Sequence, residues 1–173
     1  RDHEGEDYRP DRHLLGNRIC AHAGNPLTRK ATQTTGSLTA KLKPGCHTFW
    51  VTGTAAPCTG VFKPVWLENG VLPDIGPTPD GQYRPDSLWW RHERLHRTIL
   101  RDFSARTAVL SDERRRLESS FIEEASPSPS QDLFALTNKA FHQAEAAESG
   151  WLGEVAGIPV RRRPGPIYRN FWD

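Results

Sequence analysis

The stretch SLTAKLKPGCHTFWVTGTAAPCTGVFKPVWL, residues Ser37–Leu67, decides the fold of this chain. In its first part apolar Leu38, Ala40 and Leu42 alternate with polar residues, which is the period-two pattern of a half-buried strand. Lys-Pro-Gly at 43–45 supplies a turn, and the aromatic and β-branched run at 46–52 predicts a second strand. After a connection of small residues at 53–57, the segment 58–67 resumes the pattern. We expect two or three antiparallel strands on which later helices pack.

The remainder of the chain predicts helices that follow this sheet, so the expected fold class is α+β. A long connection at 68–85, rich in Gly and Pro, precedes a helix capped by Asp86 or Ser87. Helical periodicity then recurs to Gly150, which is expected to end the last helix. We therefore expect one domain over 1–173, with its sheet within 19–67, helices within 86–150 and an extended tail at 157–173.

Composition narrows the classes of function. The 173 residues carry a net charge of +2, which is too small to indicate nucleic-acid binding, and no apolar run approaches the roughly 18 residues of a membrane span. Three Cys without C-x-x-C spacing are typical of reduced thiols in a cytoplasmic protein, and they indicate neither a zinc knuckle nor a redox motif. The expected location is the cytoplasm, with no nucleic acid or membrane as partner.

One motif suggests metal chemistry. His92-Glu93-Arg94-Leu95-His96 matches H-E-x-x-H, whose two imidazoles can hold Zn²⁺ with the Glu as general base and Glu113 or Glu118 as third ligand. Three observations weigh against this zinc peptidase. Arg91 and Arg94 place positive charge beside the site, both His lie within the apolar stripe of the helix, and so short a pattern arises easily by chance. We interpret both His as packed side chains held by hydrogen bonds.

Four strings in this order carry a resemblance to a known family: ICAHAG at 19–24, QTTGSL at 33–38, WVTGTAAPCTGVFKPVW at 50–66 and SLWWRHERLHR at 87–97. Together they resemble the secernin-like branch of the cysteine dipeptidase family, over about residues 15–105. In that family the helix with the two His is structural, which agrees with our interpretation of the H-E-x-x-H string.

The resemblance implies an N-terminal-nucleophile hydrolase with a four-layer αββα sandwich. Its nucleophile would be a Cys at the N-terminus of the mature chain, whose α-amino group acts as base on the way to an acyl-enzyme. Such enzymes hydrolyse amide bonds, typically of dipeptides, without a cofactor. Residue 1 here is Arg, and the matched strings belong to the second half of the family's chain. We therefore expect no catalytic residue in this chain and a nucleophile on a companion chain or a missing N-terminal half.

Hydroxyl and imidazole groups near the strand entries are candidates for a substrate pocket: Thr34, Thr35, Ser37, Thr52, Thr54 and His22. They could hydrogen-bond a substrate amide, although ordinary strand and turn roles are favoured for each Thr or Ser taken singly. Lys63 is a weaker candidate for a substrate carboxylate. Cys46 and Cys58 are interpreted as buried or turn-edge thiols, and a pairing of Cys58 with His22 or His92 is left open. The alternatives to the amidohydrolase are the zinc peptidase and a non-catalytic family member.

Overall fold

The computed structural model describes residues 8–12, 19–22, 33–67, 72–125 and 132–169, and within these the fold is α+β. A short 3-10 helix (Pro10–Arg12) precedes a three-stranded antiparallel sheet, and α-helices follow the sheet, as the sequence predicts. The strands are β1 (Leu38–Lys43), β2 (Cys46–Val51) and β3 (Lys63–Val65), and the helices are α1 (Leu88–Leu100), α2 (Phe103–Glu124), α3 (Leu133–Gly157) and α4 (Pro166–Arg169). None of the helices in these ranges is both long enough and apolar enough to cross a bilayer.

The sheet has the order β1-β2-β3, so β2 is central. Leu38 lies opposite Val51, which in turn lies opposite Lys63, and directly opposed residues share a face. Helix α3 covers the β3 end of this face, where the Lys63 ammonium lies 5.1 Å from the Phe141 ring centre. At the other end all six residues of β1 are exposed, with Leu38 64% and Leu42 69% accessible. The helices therefore leave one end of an apolar sheet face open.

The connection between β2 and β3 is compact and buried, as its small residues predict. Residues 54–61 are all buried, and backbone N–H groups of Thr59 and Gly60 donate to the Ala56 carbonyl at 3.0 and 3.1 Å. Ala56 adopts a positive φ of 47°, and its N–H donates to the Thr34 carbonyl. This loop, and not a long third strand over 58–67, carries Cys58 into the interior, because Pro57 and its neighbours form turns instead of ladder pairs.

Helix α1 confirms the predicted amphipathic stripe. Its buried residues include Leu88, Leu95 and Ile99 together with both His, and it begins after Ser87 as N-cap. The Ser87 hydroxyl makes no capping hydrogen bond, so position alone identifies this cap. Helices α1, α2 and α3 pack on one another, and α2 and α3 also pack on β3. The core includes Leu110, Phe121, Ala140, Ala144, Trp151 and Val155.

Two predicted boundaries are wrong at the C-terminal side. Helix α3 does not stop at Gly150 but continues to Gly157. Trp151 and Val155 lie beyond that glycine and are 1% and 0% exposed, and burying them outweighs the roughly 1 kcal/mol that a glycine costs within a helix. The tail is also not extended throughout, because Pro166 begins the short helix α4.

The predicted sheet range 19–67 is confirmed over 38–65, within the part of it that the structure describes. Its strands span 38–65, and before them only an isolated bridge joins His22 to Gln33, while residues 23–32 lie outside the described ranges.

In the loop before α1, the backbone of Gly76 has a conformation that a side chain would strain. Its φ is +78°, and an added Cβ would overlap the Asp86 carbonyl oxygen. We expect Gly76→Ala to lower the free energy of unfolding by about 1–3 kcal/mol, since an L side chain is strained there. Gly81→Ala is the matched control in the same loop, because its Cβ meets nothing within 4 Å. Thermal unfolding of both variants measures the difference, and equal melting temperatures would contradict this prediction.

Candidate functional site

Two thiols and an imidazole meet in the interior. Cys20 and His22 lie on the segment before the sheet, and Cys58 lies on the buried loop after β2. The His22 Nε2 atom is 3.3 Å from the Cys58 Sγ atom and 3.6 Å from the Cys20 Sγ atom. The three side chains are 1%, 5% and 4% exposed in chain order. We call Cys20, His22 and Cys58 the thiol–imidazole cluster.

A chain of hydrogen bonds leads from this cluster to the surface. The other ring nitrogen of His22, Nδ1, is 2.8 Å from the His96 Nε2 atom on α1. The His96 Nδ1 atom is 3.2 Å from a Glu93 carboxylate oxygen, which also accepts a hydrogen bond from the Gln33 amide at 2.9 Å. Arg97 donates to the second Glu93 oxygen at 2.9 Å. Glu93 is only 1% exposed, so it is a buried carboxylate held by hydrogen bonds from three side chains.

An ionised Glu93 and a neutral His96 together set the direction of each hydrogen bond in this chain. The carboxylate can only accept, so His96 donates from Nδ1 and accepts at Nε2 from the Nδ1–H of His22. The Nε2 atom of His22 is then an acceptor directed at the two thiols. A proton from either thiol can move onto His22, and the resulting imidazolium would remain hydrogen-bonded to a thiolate.

The pKa shifts agree with this polarity. A hydrogen bond from Cys58 is the largest cause that lowers the pKa of Cys20 to about 5, with His22 adding to it and burial opposing it. Burial would raise the pKa of Glu93, but hydrogen bonds from His96 and Arg97, together with the charge of Arg97, outweigh it and hold that pKa below its ordinary value. Burial lowers the pKa of His96, which favours the neutral ring that the hydrogen-bond chain needs.

The first His of the H-E-x-x-H string belongs to a different cluster. Its Nε2 atom is 3.2 Å from the Thr59 hydroxyl, and its Nδ1 atom is 3.1 Å from a carboxylate oxygen of Glu148 on α3.

Burial is the largest cause that lowers the pKa of nearby Lys63 to about 8, although the charge of Glu148 opposes it. The Lys63 ammonium donates to the carbonyls of Thr52 and Val61 at 2.7 and 2.8 Å. It is directed into the protein and not towards a substrate carboxylate.

The interpretation of the two His as packed side chains is confirmed. His92 and His96 are both 0% exposed, and each has protein groups next to both ring nitrogens. They are directed at different partners, and among the described residues neither belongs to a group of side chains that could hold a metal ion. The geometry therefore lends the zinc-peptidase alternative no support.

The predicted pocket residues occupy varied positions. Thr34 joins two segments, since its hydroxyl donates to the Ile19 carbonyl at 2.7 Å and accepts from the Ala21 N–H at 3.0 Å. The buried Thr52 hydroxyl accepts from the Ser37 N–H and donates to the Thr54 carbonyl. The Thr54 hydroxyl is buried and has no hydrogen-bond partner among the described residues, whereas Thr35 is exposed. Of the six candidates, only His22 lies in the thiol–imidazole cluster.

Sequence reasoning missed the pairing of the two thiols. The sequence left a pairing of Cys58 with His22 open, and the structure brings these two side chains together across 36 positions, but Cys20 was not expected to join them. No spacing rule covers that separation, because the buried loop after β2 alone brings Cys58 back to the first segment. The one available signal was that both Cys fall within the four strings that carry the family resemblance, ICAHAG and WVTGTAAPCTGVFKPVW.

Neither a family model, nor a curated protein, nor a solved structure matches this chain.

Proposed function

We propose that this chain is the C-terminal part of a cysteine amidohydrolase or dipeptidase of the N-terminal-nucleophile class. Its nucleophile would lie on a companion polypeptide or on an N-terminal half outside these 173 residues. The chain itself would contribute sheet strands, helices and part of the substrate pocket, and it would place no catalytic residue of its own. The proposal rests on the resemblance of the four strings.

The observation that carries the proposal is that all four strings meet in space. Cys20 and His22 come from the first string, Gln33 from the second and Cys58 from the third, while the fourth supplies Glu93 and His96. Hydrogen bonds or close contacts join them: Gln33 to Glu93, Cys58 to His22, and His22 to His96. Strings that resembled the family only by chance would not be expected to contact one another through hydrogen bonds in one interior. Their convergence supports a common structural origin.

The open end of the sheet supports a companion polypeptide. Leu38 and Leu42 are exposed on the same face that α3 covers further along, and β1 has β2 as its one strand partner among the described residues. In the proposed αββα sandwich, a strand or helix of the companion would cover this part. It would bury the two Leu side chains, each worth about 1.5–3 kcal/mol when fully removed from water.

The proposed reaction is ordinary acyl transfer. The companion's N-terminal amine takes the thiol proton, the thiolate attacks the amide carbonyl, and a thioester forms as the C–N bond breaks. The proton passes to the departing amine. Water then attacks the thioester, which releases the acid and returns the thiol.

Mass spectrometry of the complete gene product tests this proposal. We expect this chain to purify with, or as part of, a polypeptide whose mature N-terminus is Cys. That Cys should be the residue alkylated by iodoacetamide with loss of dipeptide hydrolysis. Full hydrolytic activity from residues 1–173 alone would overturn the proposal, and so would a complete product that hydrolyses none of a panel of dipeptides.

A surface variant tests the docking face separately. Leu42→Glu should reduce recovery of the companion polypeptide, because it places a charge on the open apolar face. Ile122→Glu is the matched control, since Ile122 is also a large exposed apolar residue, at 59%, but lies on α2. Equal recovery with both variants would contradict docking at β1.

A further inference from the structure

We infer that Cys20, His22 and Cys58 form a binding site for a thiophilic divalent cation, for which Zn²⁺ is the best match. This site is separate from the H-E-x-x-H string and from the proposed acyl transfer. It departs from the sequence-based expectation, which named no metal ligand and no cofactor. The group is the one set of three or more Cys, His, Asp or Glu side chains among the described residues whose donor atoms lie close enough to share an ion.

The separations match a tetrahedral zinc centre. Zinc bonds of about 2.3 Å to sulfur and about 2.0–2.1 Å to nitrogen at tetrahedral angles place neighbouring S and N ligand atoms about 3.5 Å apart. The His22 Nε2 atom lies 3.3 Å from one Sγ atom and 3.6 Å from the other. All three donor atoms lie within 4.8 Å of one another. The two S–N separations therefore already match such a centre, and the two sulfur atoms would need to approach by no more than about 1 Å to reach the roughly 3.8 Å of tetrahedral ligands.

The surroundings of His22 are those of a metal ligand. A zinc-bound imidazole normally donates its second N–H to an acceptor that fixes its orientation. Here the Nδ1 atom of His22 is held by His96, which is in turn held by Glu93. This leaves the Nε2 lone pair directed at the two sulfur atoms. Two aromatic rings, Tyr8 and Phe103, lie 5.7 and 5.2 Å from the His22 ring and restrict the access of water.

The ligand-bearing segments are fixed in place by the fold. Thr34 hydrogen-bonds the backbone on both sides of Cys20, and the Arg114 guanidinium hydrogen-bonds the carbonyl of Cys58. The charges also balance, because two thiolates and a neutral imidazole neutralise a divalent cation in a site that water barely reaches. Soft thiolate ligands select zinc over magnesium or calcium. With three ligands from these residues, the fourth position is open to water or to a further ligand.

Cobalt substitution tests the inference on the complete protein. After removal of bound metal by a chelator under reducing conditions, addition of Co²⁺ should give thiolate-to-cobalt charge-transfer absorption that Zn²⁺ abolishes at one equivalent. Cys20→Ser and Cys58→Ser should each weaken the intensity and lower affinity by more than the roughly 10–100-fold that loss of an outer partner costs. Cys46→Ser and His142→Ala are the matched controls and should behave as the wild type, as His142 is exposed on α3.

The wild-type protein alone can decide the question if the Cys variants do not fold. Failure of the folded, reduced wild type to bind micromolar Co²⁺ or Zn²⁺ would overturn the inference. Recovery of the purified protein with a Cys20–Cys58 disulfide, detected as the loss of two hydrogens by mass, would also overturn it. Neither result bears on the proposed amide hydrolysis, whose test depends on the companion's N-terminal Cys.

Discussion

Arg114→Ala is expected to lower the free energy of unfolding by about 2–4 kcal/mol. The Arg114 side chain is 1% exposed, and its guanidinium hydrogen-bonds the carbonyl of Cys58 from α2. Truncation removes the packed aliphatic stem and leaves that buried carbonyl without this donor, and both losses are costly. In a protein of this size each kcal/mol corresponds to about 2–4 °C in melting temperature.

Arg116→Ala is the matched control two positions along the same helix. Arg116 is exposed, so its replacement should change the free energy of unfolding by no more than about 0.5 kcal/mol. Urea unfolding of both variants measures the difference. An Arg114→Ala protein as stable as Arg116→Ala would show that the loop bearing Cys58 does not depend on this contact.

Glu93→Gln is expected to cost about 1–3 kcal/mol, the penalty of leaving buried hydrogen-bond donors without an acceptor. The Glu93 carboxylate accepts hydrogen bonds from Gln33, His96 and Arg97. The amide of Gln has the same shape as the carboxylate, but it has only one acceptor oxygen. Its NH₂ group would face donors that the carboxylate now accepts from. Glu123→Gln on exposed α2 surface is the control and should be nearly neutral.

The loss of unfolding free energy caused by Glu93→Gln should become smaller as the pH falls. The pKa of Glu93 is lowered in the folded protein, so its ionised form favours folding above the ordinary pKa of about 4.3. That contribution is lost as the pH falls through the lowered folded pKa. The difference in unfolding free energy between wild type and variant should therefore be constant near neutrality and shrink below about pH 4. A difference that stays constant on acidification would contradict the role given to the carboxylate.

The elements with regular periodicity could be predicted from sequence, whereas the boundaries set by tertiary packing could not. The alternation at Leu38–Leu42 predicted β1, and the stripe through Leu95 and Ile99 predicted α1. Gly150 is a valid local stop signal, but the burial of Trp151 extended α3 past it. Likewise, nothing in the run Arg114-Arg115-Arg116 distinguishes the buried first Arg from its two exposed neighbours.

The candidate site was only partly accessible to sequence reasoning for a similar reason. Burial of the H-E-x-x-H imidazoles followed from their place on the apolar stripe, and the structure confirms it. The residues that contact these two imidazoles could not be predicted from the sequence, because His22, Thr59 and Glu148 come from three other segments of the chain. The hydroxyls near the strand entries were candidates for a substrate pocket, but in the structure the hydroxyls of Thr34 and Thr52 hydrogen-bond the backbone of neighbouring segments.

The exposed first strand has a consequence for the handling of the isolated chain. Among the described residues no strand pairs with the outer edge of β1. An open edge with apolar side chains is a template on which a second copy can extend the sheet, and such pairing leads to aggregates. Lys41 and Lys43 oppose this, because a second copy aligned in the same register would bring like charges together. Solubility of residues 1–173 alone should consequently fall as salt screens those lysines, and mutation of both to Thr should reproduce that fall at low ionic strength.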